Sequence, residues 1–178
     1  MRIIAGEFKG RRCSPPSAKY PTRPTTDIVR ESLFNILMNQ FDFEQITMLD
    51  LFGGFGMNAI EAISRGAKKA VYVERHRGCV AHVKKLSEQL GIEDRLKVQA
   101  FDVFKFLSTT EDHFDLIFAD PPYQHPKMKS LPDLVLESKV MYPDAWLVIE
   151  RDNTVNFDAH QRCFQSKKYG QSHLSFFK

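Results

Sequence analysis

The sequence predicts an α/β chain built on a largely parallel sheet with helices packed on both faces. Three observations carry that prediction. Short apolar runs alternate with amphipathic segments from residue 46 onward, a glycine-rich loop follows the first run, and an acidic residue closes the second. Parallel neighbours need a crossover, and a helical crossover covers the strands, so this order implies strands buried from both sides.

Taken in chain order, residues 2–13 read as short strands turned at Gly6 and Gly10, with Lys9, Arg11 and Arg12 projecting from the loop or its edge. Pro15, Pro16, Pro21 and Pro24 keep residues 14–24 extended. Thr25 or Thr26 then caps a helix whose apolar positions Val29, Leu33, Ile36 and Leu37 recur at helical spacing. The segments ITMLDLF (46–52), AVYVE (70–74), RLKVQAFD (95–102), FDLIFAD (114–120) and AWLVIER (145–151) read as strands. Helices are expected at 57–65, 76–90, 103–108 and 128–138. The C-terminal RCFQSKKYGQSHLSFFK, with Gly170 near its centre, reads as a hairpin at the sheet edge, antiparallel in part.

With 178 residues and 43% apolar content, the chain suits one domain around one sizeable core. Residues 1–24 form a basic N-terminal extension in this reading, and residues 25–178 the core. No apolar run approaches the ~18 residues that span a bilayer, and the N-terminal Met1-Arg2-Ile3-Ile4 is charged too early for a signal peptide, so a cytoplasmic protein is expected. Cys13, Cys79 and Cys163 lie far apart without zinc-ligand spacing, which predicts packed thiols and no metal site. Residues 1–30 hold seven Lys or Arg against two Asp or Glu, whereas the remainder holds 18 against 20. A basic segment on a near-neutral body fits contact with a polyanion, or else a solvated charged extension.

Asp50-Leu51-Phe52-Gly53-Gly54-Phe55-Gly56 ends the first strand and opens the first core helix, where doubly wound sheets bind ligands. Glu74 closes the second strand, twenty residues after Gly54, where a carboxylate can accept hydrogen bonds from a ribose hydroxyl pair. Adenosine cofactors of two kinds fit this pattern. Gly54-Phe55-Gly56-Met57-Asn58-Ala59 also matches the dinucleotide G-x-G-x-x-A form, so a nicotinamide-dependent dehydrogenase stays open at this point. Asp102, followed by Val103, can hydrogen-bond an adenine amino group or simply cap the next helix. The candidate cofactor residues are Asp50, Phe52, Gly53, Gly54, Gly56, Glu74, Asp102 and Val103.

Asp120-Pro121-Pro122-Tyr123 follows the fourth strand at the same end of the sheet and narrows the chemistry. The exocyclic amine of a base is a poor nucleophile because its lone pair is delocalised into the ring. The Asp120 carboxylate and the Pro121 carbonyl can each accept one amino hydrogen, biasing the nitrogen toward sp³ and aiming its lone pair at an electrophilic methyl. Two prolines fix φ and remove amide hydrogens, leaving the loop rich in acceptors. Tyr123 offers an aromatic face for a base drawn out of its stack. A sulfonium methyl donor, S-adenosylmethionine, needs neither a metal nor a covalent intermediate. The same four residues can also be an acidic turn.

Through these residues the chain resembles the bacterial methyltransferases that modify the guanine N2 amine of 16S ribosomal RNA. The likeness runs through MRIIAGEFKGRR, TRPTTDIVRESLFNIL, DLFGGFG, EAISRGAKKAVYVE, DPPY, LVIER and KKYGQSHLSFFK, nearly the whole length. It implies a Rossmann-like class I methyltransferase fold with a mostly parallel seven-stranded sheet, and S-adenosylmethionine as cofactor. It implies 16S rRNA or the small subunit as partner, and a monomer. By the same resemblance the RPTTD segment closes over cofactor or RNA, which makes Arg23, Thr25, Thr26 and Arg30 candidate contacts beside Lys9, Arg11 and Arg12. The loop departs from the family's usual DLFAGSG at Gly53 and Phe55. Two other readings remain open here: DNA adenine-N6 methylation, which uses the same amine chemistry, and a catalytically silent RNA-binding or assembly factor.

Overall fold

The computed structural model describes residues 1–14 and 26–178. The expectations for Pro15, Pro16, Pro21, Arg23, Pro24 and Thr25 fall outside the described residues. Five helices and seven strands are defined among the described residues. They run α1 (Asp27–Met38), β1 (Thr47–Leu51), α2 (Met57–Ser64), β2 (Lys69–Glu74), α3 (Arg77–Leu90) and β3 (Leu96–Ala100). Then come α4 (Val103–Thr109), β4 (Phe114–Ala119), α5 (Leu131–Leu136), β5 (Met141–Arg151), β6 (Cys163–Tyr169) and β7 (Ser172–Phe177).

The strands form one mixed sheet in the order β3-β2-β1-β4-β5-β7-β6. Pairs among β1 to β5 are parallel, whereas β7 lies antiparallel to both β5 and β6. The chain order reverses between β1 and β4, so the carboxyl ends of those two strands bound the crevice where such sheets take ligands. The alternation of side chains gives the sheet two cores. Met48, Tyr72, Phe118, Val148 and Phe176 face α1, α2, α3 and the N-terminal segment. Leu49, Leu51, Val73, Ile117 and Ile149 face α4 and α5.

Thr26 caps α1 by accepting from the Val29 amide, and Val29, Leu33 and Leu37 are buried as the periodicity requires. The C-terminal hairpin forms as expected, although β7 rather than β6 joins β5, so β6 becomes the edge. Residues 2–13 do not form strands. A single bridge joins Arg2 to Arg12, with the Ile3, Gly10 and Cys13 amides donating to the Arg11, Ile3 and Met1 carbonyls, while the amides of Ile4, Ala5 and Phe8 are taken by side chains of α2, Glu61 and Ser64. A Cβ on Gly6 would lie 1.7 Å from the Ser64 carbonyl oxygen, so glycine is what permits this close docking. All three cysteines are free thiols.

Candidate active site

β1 ends buried, and its last turn is strained. Phe52 has φ 57°, a left-handed value that a bulky side chain rarely adopts, and it is the one non-glycine residue with positive φ among the described residues. Two rings hold it there: Phe104 edge-on at 5.9 Å and His125 tilted at 5.9 Å. The Gly53 amide donates to the Val73 carbonyl at 3.1 Å, tying the loop to β2. Gly56, at φ 72°, turns the chain into α2 as its N-cap.

Tyr72 explains why Gly53 lacks a side chain. Its ring lies 2.4 and 2.5 Å from where a Cβ on Gly53 would sit, and its hydroxyl donates to the Gly54 carbonyl at 2.6 Å. The ring is fully buried, so it braces the loop from beneath. Phe55 points away from the loop's open side into the α2–α3 core, edge-on to His82 at 6.0 Å.

Two carboxylates flank the loop. Asp50 is buried, accepts from the Ala59 amide at 3.2 Å, and has its carboxyl pushed up to about 7, chiefly by burial and further by Glu74, against the Ala59 hydrogen bond. Glu74 is half-buried and accepts from the Gly54 amide at 3.3 Å and the His76 amide at 2.7 Å, one on each oxygen. Each carboxylate oxygen has two lone pairs, so both retain capacity for ligand hydroxyls. Asp102 caps α4 through Oδ1, which accepts from the Phe104 and Lys105 amides at 3.1 Å each. Val103 is buried and supplies the first backbone amide of the same turn.

Asp120 stands beside this loop. Its amide donates to the Leu51 carbonyl at 3.3 Å, and Ala119 pairs in register with both Leu51 and Ile149. Pro121 is buried and Pro122 exposed. The Pro122 carbonyl closes a turn by accepting from the His125 amide at 2.7 Å. The His125 ring stacks on Phe104 at 5.3 Å, so the turn is pinned to α4. Tyr123 donates its hydroxyl to Glu150 at 3.4 Å, and Glu150 is buried in β5. The structure thus brings Asp50, Phe52, Gly53, Gly54, Gly56, Glu74, Asp102, Val103 and Asp120–Tyr123 to the carboxyl ends of neighbouring strands.

It does not bring the basic residues there. Lys9, Arg11 and Arg12 are exposed, but the turn that carries Lys9 rests on Ser64 at the far end of α2. Eight residues of helix separate Ser64 from the glycine loop, about 12 Å. Arg30 corrects the expectation outright. Its side chain is fully buried, Nη2 donates to the Arg2 carbonyl and to Asp27 at 2.7 Å each, and Nε lies 3.9 Å from Glu61. With Nη2 shared between the Arg2 carbonyl and Asp27, Arg30 ties the N-terminal segment to α1 and α2.

A family model described as Conserved hypothetical protein 95 matches residues 1–178. The chain belongs to this family. Among curated relatives, the YlbH protein of Bacillus subtilis (strain 168) is 37% identical over 158 residues, covering 87% of this chain and 84% of its own length. Ribosomal RNA small subunit methyltransferase D of Haemophilus influenzae is 33% identical over 155 residues, covering 85% and 79%. For a solved hypothetical protein of Thermus thermophilus, the TM-score is 0.86 at 24% identity, over 100% of this chain and 99% of that one. An RNA methyltransferase of Salinibacter ruber, solved with S-adenosyl-L-homocysteine, has a TM-score of 0.69 at 16% identity, over 87% and 92%, which shows a shared fold.

Sequence reasoning did not reach Tyr72, Glu150 or the Phe104–His125 stack. Tyr72 sits in an apolar strand like any core aromatic, and no spacing ties it to Gly53. Glu150 did leave a trace: it is an acidic residue inside the otherwise apolar run of a central strand.

Proposed function

We propose that this member of the Conserved hypothetical protein 95 family is an S-adenosylmethionine-dependent methyltransferase acting on the N2 amine of a guanine in 16S rRNA of the small ribosomal subunit. One observation carries the reading: the Asp120 carboxylate and Pro121 carbonyl stand one strand away from the glycine loop, joined to it by the Asp120–Leu51 hydrogen bond. The small-subunit rRNA methyltransferase named among the relatives supports the substrate class.

The residues present fit the cofactor. A buried carboxyl held near neutrality, Asp50, is suited to a ligand carrying a cationic amino group, which would favour its ionised form. Glu74 would take the ribose hydroxyls, Gly53, Gly54 and Gly56 would leave room along the backbone, and Asp102 and Val103 would meet the adenine edge. Phe52 would wall the crevice. When bound, the cofactor supplies a methyl group on a sulfonium sulfur.

The chain's own residues prepare the acceptor. Asp120 and the Pro121 carbonyl each accept one hydrogen of the guanine amine, which frees the nitrogen lone pair for in-line attack. Tyr123, steadied by Glu150, presents a ring face to the extruded base. The proton released after transfer passes to Asp120 or to solvent. Lys9, Arg11 and Arg12 would contact RNA phosphates outside the crevice, and Arg23 and Thr25 remain candidate contacts by family resemblance.

No helix among the described residues is long and apolar enough to cross a membrane. We read the chain as a cytoplasmic monomer. Incubating it with labelled cofactor and, separately, small subunits, protein-free 16S rRNA and DNA tests the proposal. Label recovered as N2-methylguanine from the RNA is expected. Label in DNA adenine would sink it, as would no transfer to any of the three.

A further inference from the structure

Beyond the crevice, a cavity of about 310 Å³ opens between the β6–β7 hairpin and the loop that follows β5. Arg151, Lys167, Lys168, His173 and Ser166 line it, and Asp158 is the one carboxylate among the lining residues. Strand pairing builds this cluster. His173 is in register with Arg151 on one side and with Lys168 on the other, so three basic side chains from three adjacent strands share one face of the sheet.

Arg151 makes this a preformed site and not a loose patch of lysines. It is 3% exposed, and its Nε donates to the Ser175 hydroxyl at 3.0 Å while Nη1 donates to the Asp152 and Val155 carbonyls. Its remaining nitrogen, Nη2, lies 3.6 Å from Asp158, whose side chain is 58% exposed. Hydrogen bonding to Ser166 and the nearby Arg151 hold the Asp158 carboxyl below its usual range, so an incoming anion has to share Arg151 with this exposed carboxylate. His173 is shifted toward its neutral form by burial and then by the nearby Arg151 and Lys168 charges, as a positive field requires. Fixed guanidinium geometry and the Lys168 ammonium on the same face together suit a phosphate oxygen.

Position completes the argument. β5 runs parallel to β4, so Arg151 emerges at the same end of the sheet as Asp120, one strand over. Lys168 lies two strands farther along that rim, which at ~4.8 Å per strand puts the cluster on the order of 10–15 Å from Asp120. We propose that this pocket binds a backbone phosphate of the substrate RNA near the target base, anchoring the strand whose base enters the crevice. The proposal rests on the function inferred above, and the pocket would supply a crevice-side contact that Lys9, Arg11 and Arg12 cannot.

The test compares three full-length proteins: the wild type, Lys167→Gln/Lys168→Gln, and Lys68→Gln/Lys69→Gln. The last removes the same charge from exposed lysines at the opposite end of the sheet. Binding of a 16S rRNA fragment is measured across a salt series, together with cofactor affinity and methyl transfer. The hairpin variant is expected to bind RNA roughly fivefold to tenfold more weakly, with a salt slope shallower by about 1, while the control stays near wild type. Unchanged cofactor affinity would show that the hairpin variant is folded. Equal slopes for all three proteins overturn the pocket, and if the wild type still methylates RNA the proposed function stands. A hairpin-specific loss of slope in a chain that transfers no methyl group does the reverse, upholding the pocket and rejecting the activity.

Discussion

The two ends of α2 meet the rest of the chain in opposite ways. At its C-terminal end, Glu61 accepts from Ile4, Ala5 and Arg65, and Ser64 bonds to Ala5 and Phe8 while its backbone carbonyl takes the Glu7 amide. That end is filled by the protein's own N-terminal segment. At its N-terminal end the backbone is strained at Phe52, the Asp50 and Glu74 carboxylates flank the glycine loop, and Asp120 follows the neighbouring strand, tied to β1 by its amide. At one end side chains of the helix bind a segment remote in sequence, whereas at the other the carboxylates hold amides of the glycine loop, the first turn of α2 and the loop after β2. Buried polar atoms demand partners, so a fold that braces one end against itself can keep the other poised for a ligand.

The contrast can be broken most sharply at Asp120. On the proposed mechanism Asp120→Ala removes an acceptor for the reacting amine, so methyl transfer should fall by roughly 10²- to 10³-fold while cofactor affinity changes less than about twofold. Single-turnover label incorporation beside calorimetric titration separates the two. If both fall together, Asp120 belongs to the cofactor's own site and the division of labour is wrong.

Glu61→Ala probes the filled end. It strands two backbone amides and leaves Arg65 and Arg30 without their fully buried counter-charge, a loss of about 3–5 kcal/mol of stability. Thermal unfolding should register it, with little change in turnover by the protein that remains folded. A near-neutral result would mean that the N-terminal segment is only loosely held.

Asp50 links the open end to pH. Its folded pKa near 7 lies above the ordinary carboxylate value, so its contribution to stability is whole below about pH 4 and is lost as pH rises through 7. Melting temperature of the cofactor-free protein should therefore decline between pH 5 and 8, and Asp50→Asn should flatten that decline. Cofactor binding should also release protons near neutrality, visible as a dependence of binding heat on the buffer's ionisation enthalpy. Heats that match across buffers would place the cationic group elsewhere.

The smallest effect expected is at Gly53. Gly53→Ala drives a Cβ into the Tyr72 ring and should cost about 1–3 kcal/mol, and the same substitution should cost much less in a Tyr72→Val background. Additive losses in the double variant would show that the ring does not set the loop.

The elements differ in how far the sequence announced them. The alternation of apolar runs and amphipathic segments set the parallel β1 to β5 core, because burial on both faces leaves a periodicity that survives in one dimension. Gly54, Glu74 and Asp120 were legible for a related reason: each sits where a strand stops, and strand ends are visible in the pattern. Residues 2–13 close only one bridge where strands were expected, because glycine and alternating apolar residues do not disclose that α2 side chains take the amides of Ile4, Ala5 and Phe8. Arg30 was misread as a nucleic-acid contact because nothing local in its helix tells of Glu61 across the fold.

What the sequence determined alone was the order of elements and the chemistry of the short motifs, both consequences of neighbours along the chain. Tertiary structure decided which charges are spent inside, as with Arg30, and which gather at the rim, as with Arg151, Lys168 and His173. It also decided that Gly53 must be bare, since Tyr72 reaches it from another strand. Those outcomes depend on distances between segments remote in sequence, and packing alone fixes such distances.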